Sequence, residues 1–196
     1  MNVEWIVIRG SGLVAFVLLA AATTWGLLLS TKLLGKAVKP KGLTLFHEAL
    51  GLGALLATVI HMVALAVDDY IEFGPRELLV PGASEWRPMA IALGVMSFYT
   101  IVIVSLSFYV KRWIGQMLWR TIHFLAFGTF IAAMAHGIMA GTDRSHPVVL
   151  GVYVASGALV LGLLAVRALT ADQETRPARA TRPSPEPERQ TTPSES

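Results

Sequence analysis

The chain has 196 residues, of which 54% are hydrophobic and only 15% charged, with a formal net charge of +3. That is too little charge to cover a soluble domain of this length, so a soluble catalytic fold is excluded as the main body of the chain. Cysteine is absent, which rules out disulfides, iron–sulfur clusters, thiolate-ligated haem and covalent haem attachment.

Five apolar stretches of about 20 residues follow one another, each long enough to cross a hydrocarbon core of roughly 30 Å as a helix. The first covers residues 12–31. Arg9 precedes it and lysines follow it, at Lys32, Lys36, Lys39 and Lys41. The run is longer than a signal-peptide core and carries its charge on the wrong side, so it reads as a retained span.

The second stretch, residues 43–67, holds His47 and His61. Steps of three or four residues from His47 reach Gly51, Ala54, Thr58 and His61, so small side chains lie between two histidines on one seam two heptads long. Small residues also line ordinary membrane helix contacts. Flanked by histidines, they leave room for a flat cofactor. The following loop, residues 68–87, is acidic, with Asp68, Asp69, Glu72, Glu77 and Glu85 against Arg76 and Arg87.

The third stretch is 89–110, and a basic loop with Lys111, Arg112 and Arg120 leads to the fourth, 121–142, which holds His123 and His136. Helices separated by one other run in the same direction. His47 and His123 therefore share one depth, near the basic loops, and His61 and His136 share another. Each of the latter lies seven residues before an aspartate, Asp68 or Asp143. The 13-residue spacing in the fourth stretch turns its histidines about 140° apart on an ideal helix, so they need not share a face. Phe127 and Phe130 lie between the two depths. A short loop with Asp143, Arg144 and His146 leads into the fifth stretch, 148–166.

Beyond Leu169 the composition turns to Pro, Ser, Thr and mixed charge, which cannot bury a core. The expected fold is all-α: a polytopic membrane helix bundle of about five transmembrane helices. Residues 1–169 form the membrane domain and 170–196 a disordered tail. The distribution of Lys and Arg puts the basic loops and the C-terminus in the cytoplasm and the N-terminus outside. Lipid is the expected surrounding, and no nucleic-acid partner is implied.

Two imidazoles facing each other at equal depth form the axial ligand set of a six-coordinate haem iron, and bundle cores build cofactor sites in this way. The candidate iron ligands are thus His47 with His123 and His61 with His136. Such a stack would carry electrons across the membrane. Arg120, one turn before His123, is a candidate partner for an anionic propionate at one site; Arg9 is one at the other, as is Arg144. Two alternatives remain open on the residues alone. One is a cofactor-free structural or sensory membrane protein; the other is a proton-linked transporter with histidines as a relay.

The segments "RGSGLVAFVLL", "LFHEALGLGALLATVIHMVAL", "ELLVPGASEWRPMAIALGV" and "LWRTIHFLAFGTFIAAMAHGIMAGTD" resemble the ferric reductase-like transmembrane domain. That domain is shared by ferric reductases, the membrane part of NADPH oxidases and the haem subunit of a bacterial methionine sulfoxide reductase system. The resemblance covers about residues 9–169 and includes all four histidines. It implies two non-covalent b-type haems and electron transport. Many relatives have six helices, where five are counted here. Many also carry a flavin and nicotinamide domain, and none is expected in this chain. The chain is therefore expected to be an electron carrier fed by a separate flavoprotein reductase or by quinol, with an unspecified external acceptor, rather than a complete ferric reductase.

Overall fold

A computed structural model of the chain describes residues 3–31, 40–68 and 73–180. Lys32, Lys36 and Lys39, Asp69 and Glu72, and tail residues 181–196 lie outside the described residues. Among the described residues there are five helices and no strand: α1 (Val3–Thr31), α2 (Pro40–Ala66), α3 (Pro75–Leu79), α4 (Pro88–Ala140) and α5 (Pro147–Ala180). In lipid a helix satisfies its own backbone polar groups, which is why apolar segments of this length fold this way. The last four helices open on proline, whose missing N–H costs nothing in the first turn. Four helices are long and apolar enough to cross a membrane. Large apolar side chains such as Leu56, Met89, Ile131 and Leu161 are exposed on the outside of the bundle, as lipid-facing residues are.

α4 makes two of the five passes. At about 1.5 Å per residue its 53 residues would run roughly 80 Å if straight, far beyond one bilayer. Gly115, at φ 80° and ψ 164°, breaks it. This is a backbone region that essentially only glycine occupies. The two arms, 88–114 and 116–140, fold back on each other. Arg87 donates from Nη1 to the carbonyl of Met139 at 2.5 Å, and His136 donates to the carbonyl of Ala90 at 2.7 Å. The register is symmetric about the break: Gly94 and His136 are each 21 residues from Gly115, and Lys111 and Trp119 each four.

The expected loop at residues 111–120 is therefore helical up to a single turning residue. The first helix also starts earlier than its apolar stretch, at Val3, which places Arg9 within α1 rather than ahead of it. α5 continues past the apolar stretch to Ala180, so residues 170–180, expected as the start of a disordered tail, are helical. Ala171, Gln173 and Glu174 are good helix formers, and no glycine stops the helix at the membrane edge.

α1 is the central helix. It packs against α2, α4 and α5, and Phe16, Leu19, Ala20 and Leu27 on it are buried. Phe16, Phe130 of α4 and Tyr153 of α5 form one cluster, with ring centres 5.8 Å apart for Phe16–Phe130 and 4.7 Å for Phe16–Tyr153. Leu19, Ala54 and Ile101 form a layer at mid-bundle. The end opposite Gly115 is capped by α3, where Phe73 and Leu78 pack on Ile91 and Val95 with Trp86 and Ala140. These two ends are called the turn end and the cap end.

Candidate functional site

The four helical histidines meet two by two. The rings of His47 and His123 lie 5.9 Å apart at 68° to each other, at the turn end. Those of His61 and His136 lie 6.5 Å apart at 76°, at the cap end. α2 and the second arm of α4 run in parallel, so matching positions fall at matching depth. Among the described residues no three His, Cys, Asp or Glu side chains converge on one point, so the histidine pairs stand alone.

The cap-end pair is held from behind. His61 donates from Nδ1 to the carbonyl of Ile8 at 2.9 Å, and His136 from Nδ1 to that of Ala90 at 2.7 Å. A carbonyl can only accept, so Nδ1 carries the proton in both rings. Each neutral ring then keeps its Nε2 lone pair for another partner. A backbone carbonyl behind an imidazole is a common support for a metal-ligating histidine, fixing its tautomer and ring orientation.

Each support has a glycine one turn further along the same helix. A Cβ on Gly12, four residues after Ile8, would stand 3.1 Å from the His61 ring; one on Gly94, four after Ala90, would stand 2.7 Å from that of His136. The same step recurs at the turn end, where a Cβ on Gly26 would stand 3.1 Å from the ring of His47. The carbonyl of Ala22 lies beside His47, four residues before Gly26, although Nδ1 of His47 makes no hydrogen bond of full geometry. Three imidazoles thus rest on helix backbone laid bare by glycine.

His123 differs. Its ring stacks on Trp119, one turn earlier in its own helix, at 5.2 Å and 24°. The Lys111 ammonium lies 3.9 Å from the centre of the Trp119 ring. The 13-residue offset is accommodated by this difference: His136 turns onto the first arm of α4, while His123 lies along its own helix.

A cavity of about 470 Å³ opens beside the turn-end pair. His47, His123, Gly26, Gly51, Phe127 and Thr129 line it, with Arg120 and Arg167 at its polar margin. Its volume is in the range of small-molecule and cofactor sites. Gly51, one of the small residues between the α2 histidines, therefore does border open space. Ala54, the next, is fully buried against Leu19 and Ile101. Phe127 faces the cavity, whereas Phe130 is buried in the α1–α5 core.

Of the three arginines singled out from sequence, Arg120 lines the cavity. Arg9 is paired with Asp143, Nη1 to Oδ1 at 2.8 Å, donates to the hydroxyl of Thr142, and covers the ring of Trp5 at 4.0 Å. It joins α1 to the end of α4 beside the cap-end pair. Arg144 and His146 are exposed, and His146 caps α5 through its carbonyl, which accepts from the N–H of Leu150. Gly12, Gly26, Gly94, Trp119 and Arg167 carry no role in the sequence reading. The glycines did leave a trace there, since Gly12 and Gly26 are fourteen residues apart, as are His47 and His61. Trp119 and Arg167 left none, because only the tertiary fold brings them to the site.

Comparison with known family models, curated proteins and solved structures found no match.

Proposed function

We propose that the chain is an integral-membrane b-type cytochrome that carries electrons across the bilayer through two bis-histidine haems. The spacing of the histidine rings carries this reading. Two imidazoles bound on opposite sides of one metal ion, with metal–nitrogen bonds of about 2 Å, have ring centres roughly 6–6.5 Å apart. The observed 6.5 Å at the cap end falls in that range, and 5.9 Å at the turn end lies just below it. The Nδ1–H donors of His61 and His136 support the same reading, because they leave a pair of Nε2 acceptors in an apolar bundle with a shared need for a Lewis acid.

His47 and His123 would hold the haem at the turn end, and His61 and His136 the one at the cap end. A haem held by two histidines supplies a one-electron couple with no open coordination position. The protein's part is to fix the imidazoles, exclude water and neutralise the propionates. At the turn end the cavity offers Arg120 and Arg167 for the last task. At the cap end the nearest candidate is Arg9, whose charge is shared with Asp143. The electron donor in this reading is a separate flavoprotein or quinol, and the acceptor lies on the other side of the membrane.

The test is a haem count with a reduced-minus-oxidised spectrum of the purified protein and four single variants. His47→Ala and His123→Ala should remove the same centre, and His61→Ala and His136→Ala the other. Wild-type protein that takes up no haem, or four variants with wild-type spectra, would end the haem reading.

A further inference from the structure

Three of the four paired imidazoles rest on glycine-bared backbone, and the fourth rests on an indole backed by an ammonium group. We propose that this difference makes the two centres unequal, with the Lys111–Trp119 stack behind His123 raising the midpoint potential of the turn-end centre above that of the cap-end centre. The inference rests on the haem reading and assigns Lys111 and Trp119 as positioning residues that act through His123.

Two independent effects give the same sign. At the cap end both ligands donate Nδ1–H to a carbonyl, from His61 to Ile8 and from His136 to Ala90. That bond pushes electron density toward Nε2 and makes the imidazole a more basic ligand, which favours the oxidised iron and lowers the potential. At the turn end neither ring nitrogen of His123 has a hydrogen bond among the described residues. Its ring instead stacks at 5.2 Å on Trp119, and the Lys111 ammonium lies 3.9 Å from the far ring's centre. A positive charge close to an iron centre stabilises the added electron and raises the potential, the more so where the surroundings are poorly polarisable.

Other charges near the pairs are of both signs: Glu48 acts on His47 at the turn end, and Arg87 lies on the carbonyls of Met139 and Ala140 at the cap end. Arg120 and Arg167 border the turn-end cavity. At the cap end Arg9 is matched by Asp143. Lys111 reaches the indole only because the hairpin about Gly115 puts residues 111 and 119 at the same level, so the stack is a product of the turn.

The experiment is a redox titration of the haem-loaded protein, followed by its absorption and low-spin EPR signals. The wild type should show two midpoints, and His123→Ala should remove the higher. Lys111→Gln keeps the stem and the fold but removes the charge; it should move the higher midpoint down and leave the lower in place. Trp119→Leu should do the same, with a changed EPR signature for that centre alone. A Lys111→Gln protein with both midpoints unmoved, or with only the lower one moved, would overturn the proposal. So would loss of the lower midpoint in His123→Ala. Two haems in the wild type together with any of these outcomes would defeat the tuning role and leave the cytochrome reading standing. Wild-type protein without haem would defeat the cytochrome reading itself, before any variant is made.

Discussion

A Cβ on Gly94 would stand 2.7 Å from Nδ1 of His136 and 2.8 Å from its Cε1. Carbon atoms do not approach a ring so closely, and this ring cannot swing aside without giving up its bond to Ala90. Gly94→Ala should therefore destabilise the protein, by roughly 1–3 kcal/mol as overpacking does in well-packed cores. In a His136→Ala background the obstacle is gone, and the same change should be neutral or gain up to about 1 kcal/mol from helix propensity. Thermal unfolding in detergent of the four combinations reads this coupling directly. Gly151→Ala, where an added Cβ meets nothing, is the control and should behave alike in both backgrounds. Equal effects of Gly94→Ala in both backgrounds would show that the glycine does not seat the histidine. The sequence displayed the histidines, and their depth matching followed from counting alone. It also displayed a matching fourteen-residue interval in α1, but glycine is so common in membrane helices that the interval acquires meaning only once Gly12 and Gly26 are seen against His61 and His47.

Among the helices, α4 departs most from its sequence pattern. Charge at Lys111, Arg112 and Arg120 suggested a ten-residue loop between two spans. The chain instead stays helical and turns at Gly115 alone. Charged residues at a membrane edge need not leave the helix: long side chains reach outward, and here Lys111 lies over Trp119 and Arg112 over Trp113. Composition thus marks where apolar thickness ends and does not mark where helix ends, which is also why α5 runs on to Ala180. The turn makes a sharp prediction. Gly115 has φ 80° and ψ 164°, and a side chain there costs on the order of 1–3 kcal/mol. Gly115→Ala should lower the unfolding midpoint in detergent, whereas Gly128→Ala in the second arm, with open space around its added Cβ, should not. At the other end of the hairpin Arg87 takes a left-handed conformation at φ 44°, and its guanidinium donates to the last carbonyls of the second arm, those of Met139 and Ala140. A cation there also suits the negative end of the helix. The hairpin is fixed at both ends, by backbone geometry at Gly115 and by a side chain at Arg87.

The molecule as a whole has two unlike ends. Lys111, Arg112, Arg120 and Arg167 gather at the turn end against one described carboxylate, Glu48, which accepts from Tyr109. The cap end mixes signs, with Glu77, Glu85 and Asp143 among Arg9, Arg76 and Arg87. Lys and Arg near the ends of spans favour the cytoplasmic side, so the turn end should face the cytoplasm and the α3 cap the outside. The absence of cysteine makes this measurable without background labelling. Glu85 is exposed on the cap, unlike its neighbour Ser84, which is buried and donates to the carbonyl of Trp86. Cysteine introduced in the Glu85→Cys variant should react with an impermeant maleimide in intact cells. In the Gln116→Cys variant, where the exposed position lies beside the turn, it should react only after lysis. The reverse pattern would invert the molecule in the membrane. It would leave the two histidine pairs as they are, but put the cavity with Arg120 and Arg167 on the outer side. On the cytochrome reading, a cytoplasmic donor would then have to reach the cap-end pair, beneath Phe73, Leu78 and Trp86. On the cytochrome reading proposed above, the labelling result therefore decides which pair lies nearer a cytoplasmic donor.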